Sequence, residues 1–451
     1  MHASTTAERK TAPGDMIAGD YISRAAAADP FGDRFHTVLL VLWAFTLPLG
    51  MIPWAKEVML GALIVWGILR ASVGRVDYAW WGVPRSPIAW LLVAWVALAS
   101  LSLLWSPNPE FGADQLGALR FVGVPFAAWP VLRHWRKALA GFLLGGTIVA
   151  AVIIAQGIGW IDPDIPTRQN RPAASMSVWS AGLICTATFL GHYLLIGVKP
   201  GAASIVWHVG GAAIAIMAIV LNATRSCWIA LAIAAVGGVL VLFALAPTLR
   251  WRTFLIATAA VTGLAASTTI DEAFLGSTGS NMVIRRTVQA LHELNDSSHI
   301  AVNRGTVSYR LKAWNGGRNV IEARPVLGWG LGGLSTGMLR HPGLSRSSDP
   351  NQISIDQGQF NPHSSYIYQA ATTGLIGLAL LVGVLAVAVT RVVLRMGRDP
   401  YMIVPLALLT AWIVVSVFES TLLTGVGVGL LLFFLIPAMV PSAHVTVEPR
   451  R

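Results

Sequence analysis

Twelve apolar runs separated by polar or charged residues constrain this chain more than any other feature. They fall at about 37–52, 56–69, 87–105, 115–132, 138–158, 175–197, 203–221, 227–245, 251–268, 364–389, 401–418 and 421–440. A run of roughly 20 apolar residues crosses a bilayer as a helix, because a helix satisfies its own backbone groups in hydrocarbon. The runs therefore predict an all-α fold, a polytopic membrane helix bundle of about 12 transmembrane helices. With 55% hydrophobic and only 12% charged residues, the chain is too apolar for a soluble globular protein.

The connections between runs set the expected orientation. Basic residues follow every even-numbered run: Arg70, Arg75 and Arg85; Arg133, Arg136 and Lys137; Lys199; Arg250 and Arg252; Arg391, Arg395 and Arg398; Arg450 and Arg451. The odd-numbered exits carry Glu110 and Asp114, the mixed stretch from Asp162 to Arg171, a tight turn at Arg225, and Glu419. By the positive-inside rule both termini are cytoplasmic. Residues 1–35 form an N-terminal tail without the apolar core of a signal peptide, and residues 441–451 a C-terminal tail. Between them lie helices 1–9 over residues 36–268, an outward loop over 269–362 and helices 10–12 over 363–440. The net charge of +11 is explained by this topology, and without a dense basic run it implies no nucleic acid. Cys185 and Cys227 lack metal-ligand spacing and read as packing residues.

The outward loop and the residues after it hold the candidate chemistry. Thr306 to Ala323 spaces Tyr309, Trp314, Gly317 and Ile321 along one helical face, with a stop at Arg324-Pro325. The following VLGWGLGG, with Gly328, Gly330, Gly332 and Gly333, reads as a tight turn; it lacks the lysine and hydroxyl residue of a phosphate-binding P-loop. His363 stands where this polar stretch meets the tenth apolar run. Pro362 suits a first helical turn, and the positive end of the helix dipole beside His363 favours a neutral ring that can accept a proton. Gly374 and Gly377 form a small-residue pair on that run, of the kind that admits a second helix closely. Arg225 and Arg310 are placed outward, and Arg120 lies near the outer end of the fourth run. Charges there are candidates for function, although a single arginine at a membrane surface often only meets headgroups. Asp162-Pro163-Asp164 reads as a turn and not a metal pair, so no metal and no cofactor are expected; Arg168 and Arg171 follow it as additional candidates.

Three segments together carry a family resemblance. His363-Ser364, nine residues, Gly374, two residues and Gly377 resembles the signature of the O-antigen ligase family. ATRSCWIAL with Arg225, and SYRLKAW…ARPVLGWGLGG with Arg310, are similar to two further segments of that family. The resemblance spans about residues 37–440. It implies transfer of O-antigen polysaccharide from an undecaprenyl pyrophosphate carrier to the lipid A core in lipopolysaccharide biosynthesis. The site would face the periplasm from the bacterial inner membrane, under a partly helical periplasmic loop domain, with membrane lipids as its surroundings. In that reading His363 is the base, and Arg225, Arg310, Arg171, Arg168 and Arg120 are pyrophosphate or donor ligands. Protein O-oligosaccharyltransferases and O-antigen polymerases share parts of the pattern. The short C-terminal tail and the single large outward loop favour the ligase. A transporter would place its ionisable residues near the midplane, whereas His192 and His208 lie toward the cytoplasmic ends.

Overall fold

A computed structural model describes residue 24 and residues 26–76, 86–161, 172–198, 201–245, 307–339 and 361–440. The ninth apolar run, Arg168, Arg171, both tails beyond these limits and most of the outward loop lie outside the described residues. Within them every regular element is a helix. We label the α-helices α1 (Pro30–Thr46), α2 (Pro53–Ser72), α3 (Pro87–Leu101), α4 (Pro109–Leu116), α5 (Gly123–Ala127), α6 (Trp135–Gly157) and α7 (Val178–Val198). These are followed by α8 (Ala202–Asn222), α9 (Arg225–Leu245), α10 (Val307–Ala323), α11 (Leu334–Leu339), α12 (Ser365–Met396), α13 (Ile403–Phe418) and α14 (Gly425–Met439). Proline occupies the first turn of α1, α2, α3 and α4, where the missing N–H has no intrahelical acceptor to lose.

Six helical segments among the described residues are long and apolar enough to cross a membrane: Pro87–Trp105, Trp129–Gly157, Val178–Val198, Ala202–Asn222, Ser365–Met396 and Pro400–Phe418. Arg225–Gly238 and Gly425–Met439 are shorter apolar helices. The expected fourth span, 115–132, is not one continuous helix. It runs through the end of α4, a 3-10 turn Gly117–Val122, α5 and a second 3-10 turn Trp129–His134. Pro125 and Pro130 remove backbone donors within it, and short 3-10 pieces take up the irregularity. Phe121, Val124 and Val131 in this stretch are fully buried, so the broken backbone is sheltered by protein.

Packing follows small residues. A Cβ on Gly141 or Gly145 of α6 would strike the carbonyls of Val41 or Phe45, so these glycines let α1 lie backbone-close against α6. Trp43, Phe142, Phe433 and Phe434 interlock where α1, α6 and α14 meet. Cys185 and Cys227 are free and buried. His192 and His208 face one another with their Nδ1 atoms 2.9 Å apart, and Thr147 Oγ1 lies 3.1 Å from His192 Nε2. Basic residues gather at the end of the bundle where α12 finishes. Arg395 donates to the Pro437 carbonyl, Arg136 pairs with Asp399 at 2.7 Å, and Arg133 pairs with Asp33 at 2.6 Å. His363 stands before the other end of α12, 32 residues away along a helix of about 1.5 Å rise per residue.

Candidate functional site

Three segments far apart in sequence build the site. The first is α10, which forms as the spacing of its apolar residues predicts and ends at Ala323 before Arg324-Pro325. The second is the entry to α12. Asn361 Oδ1 accepts the His363 backbone N–H at 2.8 Å and the Ser420 hydroxyl at 2.6 Å, which bends the chain. His363 takes a left-handed backbone with φ 49°, one residue ahead of the Ser364 N-cap. The third is the end of α13, where Glu419 is the C-cap.

Glu419 joins the other two. Its Oε1 accepts from Arg310 Nη2 at 2.6 Å, and its Oε2 lies 3.4 Å from His363 Nδ1. The carboxylate is 6% exposed, against 18% for Arg310 and 24% for His363. One oxygen therefore engages the guanidinium and the other the imidazole. The tautomer that donates from Nδ1 to Glu419 carries no proton on Nε2, which is the atom that can then accept one. The support is rigid. Trp314 Nε1 donates to the His363 carbonyl at 3.4 Å, and Trp314 packs on Phe418 with ring centroids 6.0 Å apart. Ser365 Oγ donates to the Glu419 carbonyl at 3.1 Å.

The glycine-rich turn fixes α10 against α12. At Gly374 the helix breaks, with φ 72° and ψ −174°, a conformation essentially confined to glycine. The chain from 325 to 330 enters this break: Trp329 N–H donates to the Ala371 carbonyl at 2.9 Å, Gly330 N–H to Thr372 at 2.7 Å, and Leu375 N–H to Pro325 at 2.8 Å. The spacing of Gly374 and Gly377 predicts a second helix against this face. What meets Gly374 is the Val326–Leu327 backbone, and what meets Gly377 is the Thr373 and Gln369 side chains of the same helix. The break explains the difference, because the carbonyls it releases are satisfied by the turn that enters it. From Gly328 to Gly333 the turn also has no N–H groups to offer a phosphate. Gly328 donates to Arg324, Leu331 to Ser102 Oγ, Gly332 to Gln115 Oε1 and Gly333 to Gly330. With Trp329 and Gly330 spent on α12, all six donors from 328 to 333 are internal.

Arg225 opens α9 two residues after the left-handed Ala223, in the turn that Asn222 ties to the Pro172 carbonyl at 3.1 Å. The end of α6 and the turn after α8 meet the same short segment, Gln156 accepting from Ala173 and Ala174 and Asn222 donating to Pro172, so Arg225 lies at the end of the bundle opposite the one where α6 begins, as His363 does. Helix α9 packs along α13, whose C-cap is Glu419. Arg120 is engaged elsewhere. It grips Glu57 of α2 with two nitrogens, Nε at 2.7 Å, and stands over the Phe121 ring. Arg168 and Arg171 lie outside the described residues. Among the described residues no group of three or more His, Cys, Asp or Glu side chains is placed to hold a metal.

Sequence reasoning used Glu419 only as a charge on an exit between helices. A stronger signal was present: between Pro400 and Val440 it is the one charged residue. An isolated carboxylate inside an apolar stretch needs a partner, and here the partners are 109 and 56 residues away.

The site thus joins an imidazole, a buried carboxylate and the Arg310 guanidinium at one end of an apolar helix bundle. Residues 210–382 match the family model described as O-antigen ligase, so this part of the chain is similar to that family. Arg225, Arg310, His363, Gly374 and Gly377 fall inside the matched residues; Arg120 and Glu419 fall outside them. None of the curated proteins compared with the chain matches it.

Proposed function

We propose that this chain transfers O-antigen polysaccharide from undecaprenyl pyrophosphate to a sugar hydroxyl of the lipid A core, at the periplasmic face of the bacterial inner membrane. The observation that carries the proposal is the single carboxylate of Glu419 holding both Arg310 and His363. A sugar hydroxyl is a poor nucleophile, so its proton passes to His363 Nε2 as the oxygen attacks the anomeric carbon. The bond from that carbon to the pyrophosphate oxygen breaks, and undecaprenyl pyrophosphate leaves with the electron pair. Guanidinium forks at Arg310 and Arg225 match the charge that develops on the leaving oxygens. Displacement in one step inverts the anomeric centre and requires neither metal nor nucleotide; Arg168 and Arg171 are further donor ligands in this reading. Arg120, already neutralised by Glu57, serves the site through the packing of α2 on the broken fourth segment.

The test uses purified wild type and His363→Ala with an undecaprenyl-pyrophosphate-linked glycan, without metal or nucleotide. A lipid A core acceptor, an unstructured protein acceptor and a second lipid-linked glycan are offered in parallel. Transfer to the lipid by wild type alone supports the ligase. Transfer to protein or to the second glycan moves the chain to the oligosaccharyltransferase or polymerase reading with the same site. A covalent glycosyl-enzyme would exclude direct displacement.

A further inference from the structure

At the end of the bundle opposite His363, α1 and the start of α6 enclose an open groove of about 590 Å³. Its charged rim carries Arg34 from α1 and Arg133, His134 and Lys137 from the α6 side. Asp33 neutralises part of this charge, pairing with Arg133 at 2.6 Å and lying 3.6 Å from His134 Nε2. Arg34 and Lys137 are exposed and have no acidic partner among the described residues. Two full positive charges therefore face the groove.

The groove is charged at one level only. Arg34, Val38, Val41 and Leu42 follow one another at helical spacing along one face of α1. Leu42 lies eight residues, about 12 Å, deeper than Arg34. Val38 is 50% and Leu42 41% exposed, so the wall below the cations is apolar and open at the side. A rim of cations over an apolar wall matches a molecule with an anionic head and a hydrocarbon tail. A soluble phosphate compound would meet the cations and leave the wall unused. A neutral lipid would use the wall and leave Arg34 and Lys137 without a counter-charge.

We infer that this groove seats an anionic glycerophospholipid, its phosphate between Arg34, Arg133 and Lys137 and one acyl chain along Val38 and Leu42. The lipid comes from the leaflet at the basic end of the bundle, which the positive-inside rule makes the cytoplasmic one. The groove lies on α1 and α6, whose close packing through Gly141 and Gly145 leaves it no way to close, so it is a standing site and not a gate. It is independent of the transfer reaction at the other end.

Native mass spectrometry of the full-length protein tests this. Wild type is equilibrated with palmitoyl-oleoyl phosphatidylglycerol or with the phosphatidylcholine of the same chains, and the retained lipid is counted. The Arg34→Ala/Lys137→Ala double variant and Arg398→Ala, an exposed arginine at the same end but outside the groove, are run beside it. A juxtamembrane cation contributes about fivefold to anionic-lipid binding. Wild type is expected to retain phosphatidylglycerol over phosphatidylcholine by at least about tenfold. The double variant should lose that preference while Arg398→Ala keeps it, and millimolar inorganic phosphate should not displace the lipid. Equal retention of the two lipids by wild type overturns the proposal, whether or not the double variant folds. So does an undiminished preference in a folded double variant. Displacement by inorganic phosphate overturns it too, since it marks a site for a free anion.

Discussion

Replacing Glu419 by Gln isolates what its charge and its two oxygens contribute. Glutamine offers one acceptor and two donors in the same shape. Arg310 Nη2 sits 2.6 Å from one carboxylate oxygen, and only an acceptor is tolerated there, because an amide NH2 would face a guanidinium donor to donor. The amide oxygen must therefore turn toward Arg310 and its NH2 toward His363 Nδ1, now 3.4 Å away. That nitrogen has to accept, and the ring proton moves to Nε2. A ring protonated at Nε2 cannot take the proton of the acceptor hydroxyl. General-base catalysis is worth about 10²–10⁴ in rate, and an amide that imposes the wrong imidazole tautomer in a serine protease costs about 10⁴. Transfer by Glu419→Gln should fall by that order, with donor binding changed by less than about tenfold because Arg310 keeps an acceptor. The assay is single-turnover transfer of lipid-linked glycan to the lipid A core, with donor affinity measured separately. Wild-type rates would refute the tautomer argument. A loss confined to donor affinity would refute it as well, and would leave Glu419 acting on Arg310 alone.

Other outcomes follow from the same geometry. Gly374→Ala forces a side chain into a backbone conformation that costs about 1–3 kcal/mol and places Cβ against the Val326 carbonyl, so its thermal midpoint should drop. Gly61→Ala, where an added Cβ meets nothing within 4 Å, should leave that midpoint unchanged or higher. Arg310→Ala is expected to abolish transfer and also to destabilise, since it strands a carboxylate that is 6% exposed. Arg310→Lys keeps the charge but loses the fork, so it should fold like wild type in a thermal scan and still lose most activity. Transfer should persist in excess chelator; loss that added divalent metal restores would count against a metal-free displacement.

Much of this site could be read from residues that are neighbours in sequence. The helix from Val307 to Ala323, its stop before Pro325, the turn geometry of VLGWGLGG and the placement of His363 just before a helix all rest on local periodicity, capping and glycine chemistry. What local patterns cannot hold is a contact closed through space. Glu419 meets its partners across 109 and 56 residues, and Arg120 meets Glu57 across 63. Hydropathy counts residues without seeing how backbone donors are spent, so 115–132 read as a span although its prolines and glycines divide it into four short pieces. The same blindness made Gly374 a packing surface. Its positive φ makes it a gap in a helix, filled by another part of the chain.

That gap decides how the site is assembled. Helix α10, with Arg310, is bound to α12 at three levels: Trp314 on the His363 carbonyl, Gly317 against Ile367, and the turn from Pro325 to Gly330 inside the break at Gly374. Glu419 is held to the same unit through Ser365 and Thr421, whose oxygens are 2.8 Å apart. His363, Glu419 and Arg310 are thus tied to one packed unit. Arg225 comes from a different hairpin, α8 and α9, whose turn is anchored to the segment that opens α7. A pyrophosphate bound between Arg310 and Arg225 would therefore span two separately anchored parts of the bundle. In the proposed reaction, packing would set the geometry for proton transfer, while recognition of the leaving group would require those two parts to meet across it.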